Sequence, residues 1–354
     1  MRTALAFLQT GADALACVTA PLAPVAAPRS GSPAWFAPPF SLAPGEPAWF
    51  AADAGPVTVC SRAEWRQRFA PSAGRSAGLD WEAPDERRFS EGFRTLTARI
   101  ADGSLRKGVP VTMTAAPVDV ADADALFAHF LGLVPDLPET LFAYGFYRPA
   151  SETGTGSPEF LIGATPELLF EIEATGRLTT MAVAGTRRTG SVSGSLASSP
   201  KNRDEHESVV QDLVAQLGAF GQPVASSTVV RSFGTLEHLT AAIHVDPAHA
   251  LDFEAVARHL HPTPALGVYP RGAAGSAWLA GLDPRGERRR FGAPFGLRWP
   301  SGAGRCVVAI RSLQYRDGRL EIWAGCGVVA QSRYEDEWQE VLDKIQAVRA
   351  LWSV

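Results

Sequence analysis

Lysine is almost missing from this sequence. Of 33 basic residues only Lys107, Lys201 and Lys344 are lysine, and the rest are arginine. Arginine has taken over wherever a positive charge suffices. A lysine that persists is therefore a candidate for something arginine cannot do, such as giving up its proton. Cysteine is scarce too. Cys17, Cys60, Cys306 and Cys326 stand far apart with no C-x-x-C pair, which argues against a zinc site and for a reduced, cytoplasmic chain. No run approaches the ~20 apolar residues that a membrane span needs, so no membrane partner is expected. A formal net charge of -4 offers no field to draw in nucleic acid or anionic lipid.

The opening MRTALAFLQTGADALAC superficially resembles a lipoprotein leader ending at Cys17. Gln9 and Asp13 break its apolar run and Arg2 supplies its one positive charge, so an opening β-strand is expected instead. With 46% hydrophobic and 20% charged residues, the 354 residues have ample core for one large domain over 1–354. Residues 1 to about 85, rich in Pro, Ala and Gly, suggest short strands joined by turns and carry no readable chemistry.

Further on the pattern sharpens. Phe89, Phe93, Leu96 and Ile100 recur at helical spacing, predicting a helix from Asp85 to Ile100. RKGVPVTMTA reads as a strand from Lys107, and Ala121–Leu133 as a helix. LFAYGFYR, EFLIGATPELLFEI and TTMAVAGTRRTG read as strands, and Val192–Ser199 as a loop. Helices are expected at Lys201–Leu217, Phe253–Leu260, Gly272–Leu282 and Tyr334–Leu351. RCVVAIRSLQYR and RLEIWAGCGVV form a hairpin around Asp317-Gly318. Strand meanders interrupted by helices argue for an α+β fold.

Two of these helices carry charge inward. Glu205 lies four residues before Val209 and eight before Leu213, on the stripe that must face the core. In the last helix Glu337, Val341, Lys344 and Val348 share one flank, with Glu340 able to pair with Lys344. A buried carboxylate is costly unless it meets a cation. Two helices each offering a first-turn glutamate suit a hard ion such as Mg2+, although surface pairing explains either glutamate singly.

Nine segments then line up in one order: GATPELLF (163–170), MAVAGTRRTG (181–190), SPKNRDEHESVV (199–210), LEHLTAAI (236–243), HPTPALGVYPR (261–271), RFGAPFG (290–296), VVAIRS (307–312), AGCGVV (324–329) and EDEWQEVLDK (335–344). In these the chain resembles the chorismate-utilising enzymes: anthranilate synthase large subunit, aminodeoxychorismate synthase, isochorismate synthase and salicylate synthase. The resemblance spans about residues 85–350. It implies one α+β domain of two face-packed, mainly antiparallel β-sheets with helices outside and the site in a cleft between halves. It also implies that Glu205 and Glu337 bind Mg2+. Arg311, Lys344 and the turn at Gly325 and Gly327 would hold the carboxylates of chorismate, with Thr186 and His238 lining its ring. A dianion calls for such cations.

Members of this family differ in the nucleophile that enters at ring C2 while the C4 hydroxyl leaves. Lys107 falls where the water-using members carry a lysine and the ammonia-using ones a glutamine. A deprotonated lysine can serve as general base toward water. Glu167 matches the family's general acid, for which a raised pKa is expected. Ala184 stands where aminodeoxychorismate synthases place a nucleophilic lysine. Ala265 and Leu266 resemble isochorismate synthases. An isochorismate synthase without a glutaminase partner is the leading expectation, in menaquinone or siderophore biosynthesis. Salicylate synthase, an ammonia-using synthase and an inactive chorismate-binding protein are the alternatives. Departures from the pattern occur at Thr112, where an arginine is common, at Gly267-Val268 and in RFGAPFGLRW.

Overall fold

Several strands of this chain are apolar at nearly every position because both of their faces are covered. Along β1 (Leu5–Gly11), Leu5 and Phe7 point into one buried cluster and Ala6 and Leu8 into another. The computed structural model describes residues 3–29, 31–42, 47–52, 56–69, 78–190 and 196–354.

An eight-stranded sheet runs in the order β6 (Thr58–Cys60), β2 (Ala14–Thr19), β1, β9 (Phe142–Arg148), β10 (Glu159–Thr165), β19 (Ser312–Arg316), β20 (Arg319–Gly325), β8 (Val111–Pro117). A ten-stranded sheet runs β13 (Val224–Ala225), β15 (Leu236–Val245), β12 (Leu178–Arg188), β11 (Leu168–Ile172), β18 (Gly304–Val308), β17 (Pro294–Arg298), β4 (Ala34–Phe36), β5 (Trp49–Ala52), β3 (Leu22–Val25). β14 (Val229–Phe233) pairs with β15, and a two-stranded sheet joins β7 (Lys107–Gly108) to β16 (Val268–Tyr269). Every pairing among the described residues is antiparallel.

The two large sheets pack face to face. Between them lies one cluster, with Leu8, Tyr144, Phe146 and Leu161 from the first sheet against Trp35, Phe295, Leu297 and Val307 from the second. Outside the first sheet pack α1 (Arg62–Arg68), α2 (Glu86–Ala101), α3 (Val120–Leu133) and α8 (Tyr334–Trp352). Outside the second pack α5 (Pro200–Leu217) and α6 (Phe253–Leu260). α4 (Ala150–Thr153) is a single turn, and α7 (Ala273–Leu282) covers the small sheet. The fold is α+β, as expected.

Three strand readings need correction, and each bears on the site. EFLIGATPELLFEI is two strands: β10 belongs to the eight-stranded sheet and β11 to the ten-stranded one, with Pro166 and Glu167 in the crossing. Proline has no N–H for a ladder, so the strand cannot run through it. RCVVAIRSLQYR likewise crosses back between β18 and β19, and Arg311 there has φ +56, outside strand geometry. The crossings lie side by side, tied by Val308 N–H to Glu167 O at 3.1 Å and Ala164 N–H to Arg311 O at 3.2 Å. The Tyr144 hydroxyl, from the inter-sheet layer, donates to Ile310 O at 2.9 Å.

The run from Lys107 also divides at Val109-Pro110, so that Lys107 lies in the small sheet opposite Tyr269. Of the expected loop Val192–Ser199, 191–195 lie outside the described residues and Leu196–Ser198 form a 3-10 turn. The hairpin at Asp317-Gly318 is present, with both residues at positive φ as its tight turn requires.

Candidate active site

Where the strands change sheets, the sheets part and leave a cavity. Ten of the twelve site residues expected from sequence line it: Glu167, Thr186, Glu205, His238, Ala265, Leu266, Arg311, Gly325, Gly327 and Lys344. Lys107 and Glu337 stand behind this wall, 0% and 1% exposed. A larger groove of about 1270 Å3 lies between α2 and α7 beyond Trp323. It contains none of these twelve residues, so the candidate site is the smaller cavity.

Each wall residue is placed by its element. Glu167 sits in the first crossing, fully buried, and burial raises its carboxyl to about 7 against the pull of Lys107, Thr263, Lys344 and Arg311. Thr263 donates to it at 3.3 Å. Arg311 sits in the second crossing, where burial lowers it to about 10. β12 bulges at Gly185 and turns Thr186 toward His238. His238 Nδ1 lies 3.2 Å from Gly185 O and 3.3 Å from Thr186 Oγ1, and Nε2 lies 3.3 Å from Arg311 Nη2. A carbonyl only accepts, so the proton is on Nδ1 and Nε2 accepts from Arg311. Burial and the neighbouring Arg311 and Lys344 push His238 down to about 3, which keeps it neutral. The imidazole thus holds the guanidinium without adding charge.

Behind the wall is a layer of alternating charge. Lys107 Nζ is 3.4 Å from Glu205 Oε1. Lys201 Nζ is 2.8 Å from Glu337 Oε1 and 3.8 Å from both Glu205 Oε2 and Glu340 Oε2. Lys344 Nζ is 2.7 Å from Glu340 Oε1 and donates to Gly325 O at 2.8 Å. All three lysines of the chain therefore meet at one place. Burial lowers Lys107, opposed by Glu205. Burial also opposes the charge on Lys201, but Glu340, Glu205 and Glu337 overcome it and raise that group. Burial raises Glu337, helped by Glu340 and opposed by Lys201. Burial works against the charge on Glu340 too, yet Lys344 and Lys201 hold it down to about 2.

Glycine makes the layer possible. A Cβ on Gly327 would lie 2.0 Å from Glu205 Oε1 and 2.8 Å from Lys107 Cε. One on Gly325 would meet Pro110 O at 2.6 Å. These are close approaches that no side chain permits.

The two helix glutamates pass a test of fit for a divalent cation. Glu205 Oε2 and Glu337 Oε2 are sealed from solvent and have no hydrogen-bond partner. Few, hard oxygens with no hydrogen bond to satisfy them suit Mg2+, which keeps other positions for water and ligand. Among the described residues no group of three or more His, Cys, Asp or Glu closes into a protein cage.

Lys201, marked in the sequence only as one of three surviving lysines, and Thr263 were given no place in the site. Both had signals: Lys201 stands four residues before Glu205 in a lysine-poor chain, and Thr263 lies two before Ala265. Thr112, by contrast, faces away from the cavity and donates to Asp85 O at 2.6 Å. Val268 pairs with Gly108 in the small sheet that positions Lys107. The four cysteines are free. No helix among the described residues is long and apolar enough to cross a membrane.

The chain belongs to the chorismate binding enzymes, whose family profile matches residues 58–350. The chain is 33% identical over 203 residues to the salicylate biosynthesis isochorismate synthase of Pseudomonas aeruginosa, covering 54% of this chain and 42% of that one. It is 28% identical over 265 residues to the isochorismate synthase EntC of Escherichia coli, covering 72% and 66%. It thus spans less than two thirds of the length of these two curated relatives. The menaquinone-specific isochorismate synthase MenF of Escherichia coli has the same fold, with a TM-score of 0.73 at 19% identity over 99% of this chain and 89% of that one.

Proposed function

We propose that this protein converts chorismate to isochorismate, adding water at ring C2 and expelling the C4 hydroxyl, as a cytoplasmic enzyme that needs no glutaminase partner. The observation that carries this reading is the opposed pair Lys107 and Glu167: a buried lysine driven down and a buried carboxyl driven up to about 7. A lysine whose burial loosens its proton and a carboxyl that burial keeps protonated suit water addition coupled to hydroxyl departure.

In this reading Arg311 and Lys344 bind the carboxylates of the substrate, and His238 fixes the guanidinium. Glu205 and Glu337 would hold Mg2+, which when bound supplies charge to anchor the ring carboxylate. Lys107, once Glu205 no longer pairs with it, loses its proton to solvent and as the free amine takes a proton from the attacking water. Glu167 gives its proton to the leaving C4 oxygen, which departs as water while the ring double bonds shift. Lys107 ends protonated and Glu167 ionised, so one proton exchange through solvent resets the pair. Ala184 offers no amine to compete as nucleophile.

The test is to incubate the protein with chorismate and Mg2+, with and without ammonium, and identify products by liquid chromatography and mass spectrometry. Isochorismate without pyruvate, unaffected by ammonium, is the expected result. Salicylate with pyruvate, or an aminated product, would overturn it.

A further inference from the structure

We propose that the Lys201 ammonium is a built-in stand-in for the divalent cation: it occupies the position between α5 and α8 in the free protein, and the metal binds by displacing it. The proposal rests on the reading of Glu205 and Glu337 as metal ligands.

Four observations support it. First, Lys201 Nζ bridges the same two carboxylates, at 2.8 Å from Glu337 and 3.8 Å from Glu205. Second, the bridge is incomplete. One oxygen of each glutamate, Glu205 Oε2 and Glu337 Oε2, is buried without a hydrogen-bond partner. A single positive charge with one close contact leaves acceptor capacity that a divalent ion would take up. Third, Glu205, Glu337 and Glu340 face Lys107, Lys201 and Lys344, three charges against three. With all six groups ionised the charges balance without metal. Adding a divalent ion with Lys201 in place would set like charges in contact in a buried site. Fourth, Lys201 has somewhere to go. A cavity of about 360 Å3 opens on its outer side, lined by acidic Glu340, Asp336 and Asp343 and by Arg187, Arg188 and Arg333, and Glu340 is already within 3.8 Å.

The identity of the residue fits the task. An ammonium is a compact, mobile point charge, whereas a guanidinium would fork across both carboxylates and stay. In a chain that otherwise uses arginine, lysine at 201 is what an exchangeable counter-ion demands.

Two measurements test this without recourse to turnover. Calorimetric titration of Mg2+ into the protein without chorismate should show at least tenfold tighter binding for Lys201→Met and Lys201→Gln than for the native chain. Lys201→Arg should bind more weakly. Circular dichroism identifies a variant that fails to fold. In that event the second measurement decides, on the native chain: acetylation of lysines read by mass spectrometry, which is simple with three lysines. Lys201 should be protected without Mg2+ and become reactive with it, and Glu337→Gln should abolish the change. Lys201 labelling that stays flat or falls when Mg2+ binds, or folded Lys201→Met that binds Mg2+ no tighter than the native chain, would overturn the stand-in role. If Glu337→Gln instead leaves Mg2+ affinity intact, the ligand assignment itself is wrong and the proposal falls with it.

Discussion

The Lys107 ammonium and the Glu205 carboxylate face each other at 3.4 Å, with 0% and 6% of their side chains exposed, and the missing side chain of Gly327 is what gives them room. The candidate base and a candidate metal ligand therefore share one contact. Whatever draws Glu205 away also frees Lys107.

Gly327→Ala should disturb both at once. Its methyl would overlap Glu205 Oε1, which must shift. A misplacement of this size at a reacting site costs on the order of 100-fold. We expect kcat/KM for chorismate and calorimetric Mg2+ affinity to fall together. A variant with native values of both would show that this close approach is dispensable.

Lys107→Gln keeps much of the volume and removes the base. Loss of general-base catalysis lowers rates roughly 10^2- to 10^4-fold, so kcat for isochorismate should fall by that range while Mg2+ still binds. Lys107→Arg should be no better, because arginine keeps its proton. Full activity in either variant would place the base elsewhere.

As the proposed acid, Glu167 should set the alkaline side of the pH profile. Its carboxyl is raised from 4.5 to about 7 by burial, and in that role the acid form is the competent one, so kcat/KM should fall as pH rises through about 7. Glu167→Gln should remove that limb and lower the rate. The same shift bears on stability. Protonation is favoured in the folded state, so the stabilisation is full below pH 4.5 and is lost as pH rises through about 7. Thermal unfolding of the native chain relative to Glu167→Gln should therefore worsen between pH 5 and pH 8; curves that stay parallel would refute the raised carboxyl.

Arg271 tests the scaffold rather than the site. It reaches Asp212, 3% exposed, through Nε at 2.8 Å and Nη2 at 2.8 Å, and donates to Leu260 O and His259 O. Arg271→Ala strands a buried carboxylate, which costs about 3–5 kcal/mol in such cases. Urea unfolding should show a loss of that order, and Arg271→Met with Asp212→Leu should recover much of it. No recovery would mean that the backbone contacts to α6 matter more than the pair.

Much of this was legible in the sequence. α6 has the bounds that periodicity predicts, and α2, α3, α5, α7 and α8 lie within one residue at each end, because each has an apolar stripe and most have a polar start such as Asp85 or Ser199. The inward glutamates were visible as carboxylates on those stripes. The strand crossings at Pro166-Glu167 and Ile310-Arg311 were not. A strand buried on both faces looks the same in either sheet, so the run through Ile310-Arg311 carries no mark of the change, and the mark that Pro166 offered at the first crossing was not used. α1 was missed although Ser61 and Glu64 form a capping box. Lys201 was missed for another reason: its importance lies in charges on α8, more than 130 residues away.

The hydrogen bond from Tyr144 to Ile310 puts the middle of the sandwich in mechanical series with the cleft. Glu167 and Arg311 are anchored in neither sheet alone but on the two straps that join them. Any change in the spacing of the layers, at Phe295 or Tyr144 for instance, would be felt first as a change in the gap between an acid and a cation. The hydrophobic interior of this protein is thus also a calliper for the gap between Glu167 and Arg311, and substitutions there should register at the candidate site as well as in unfolding.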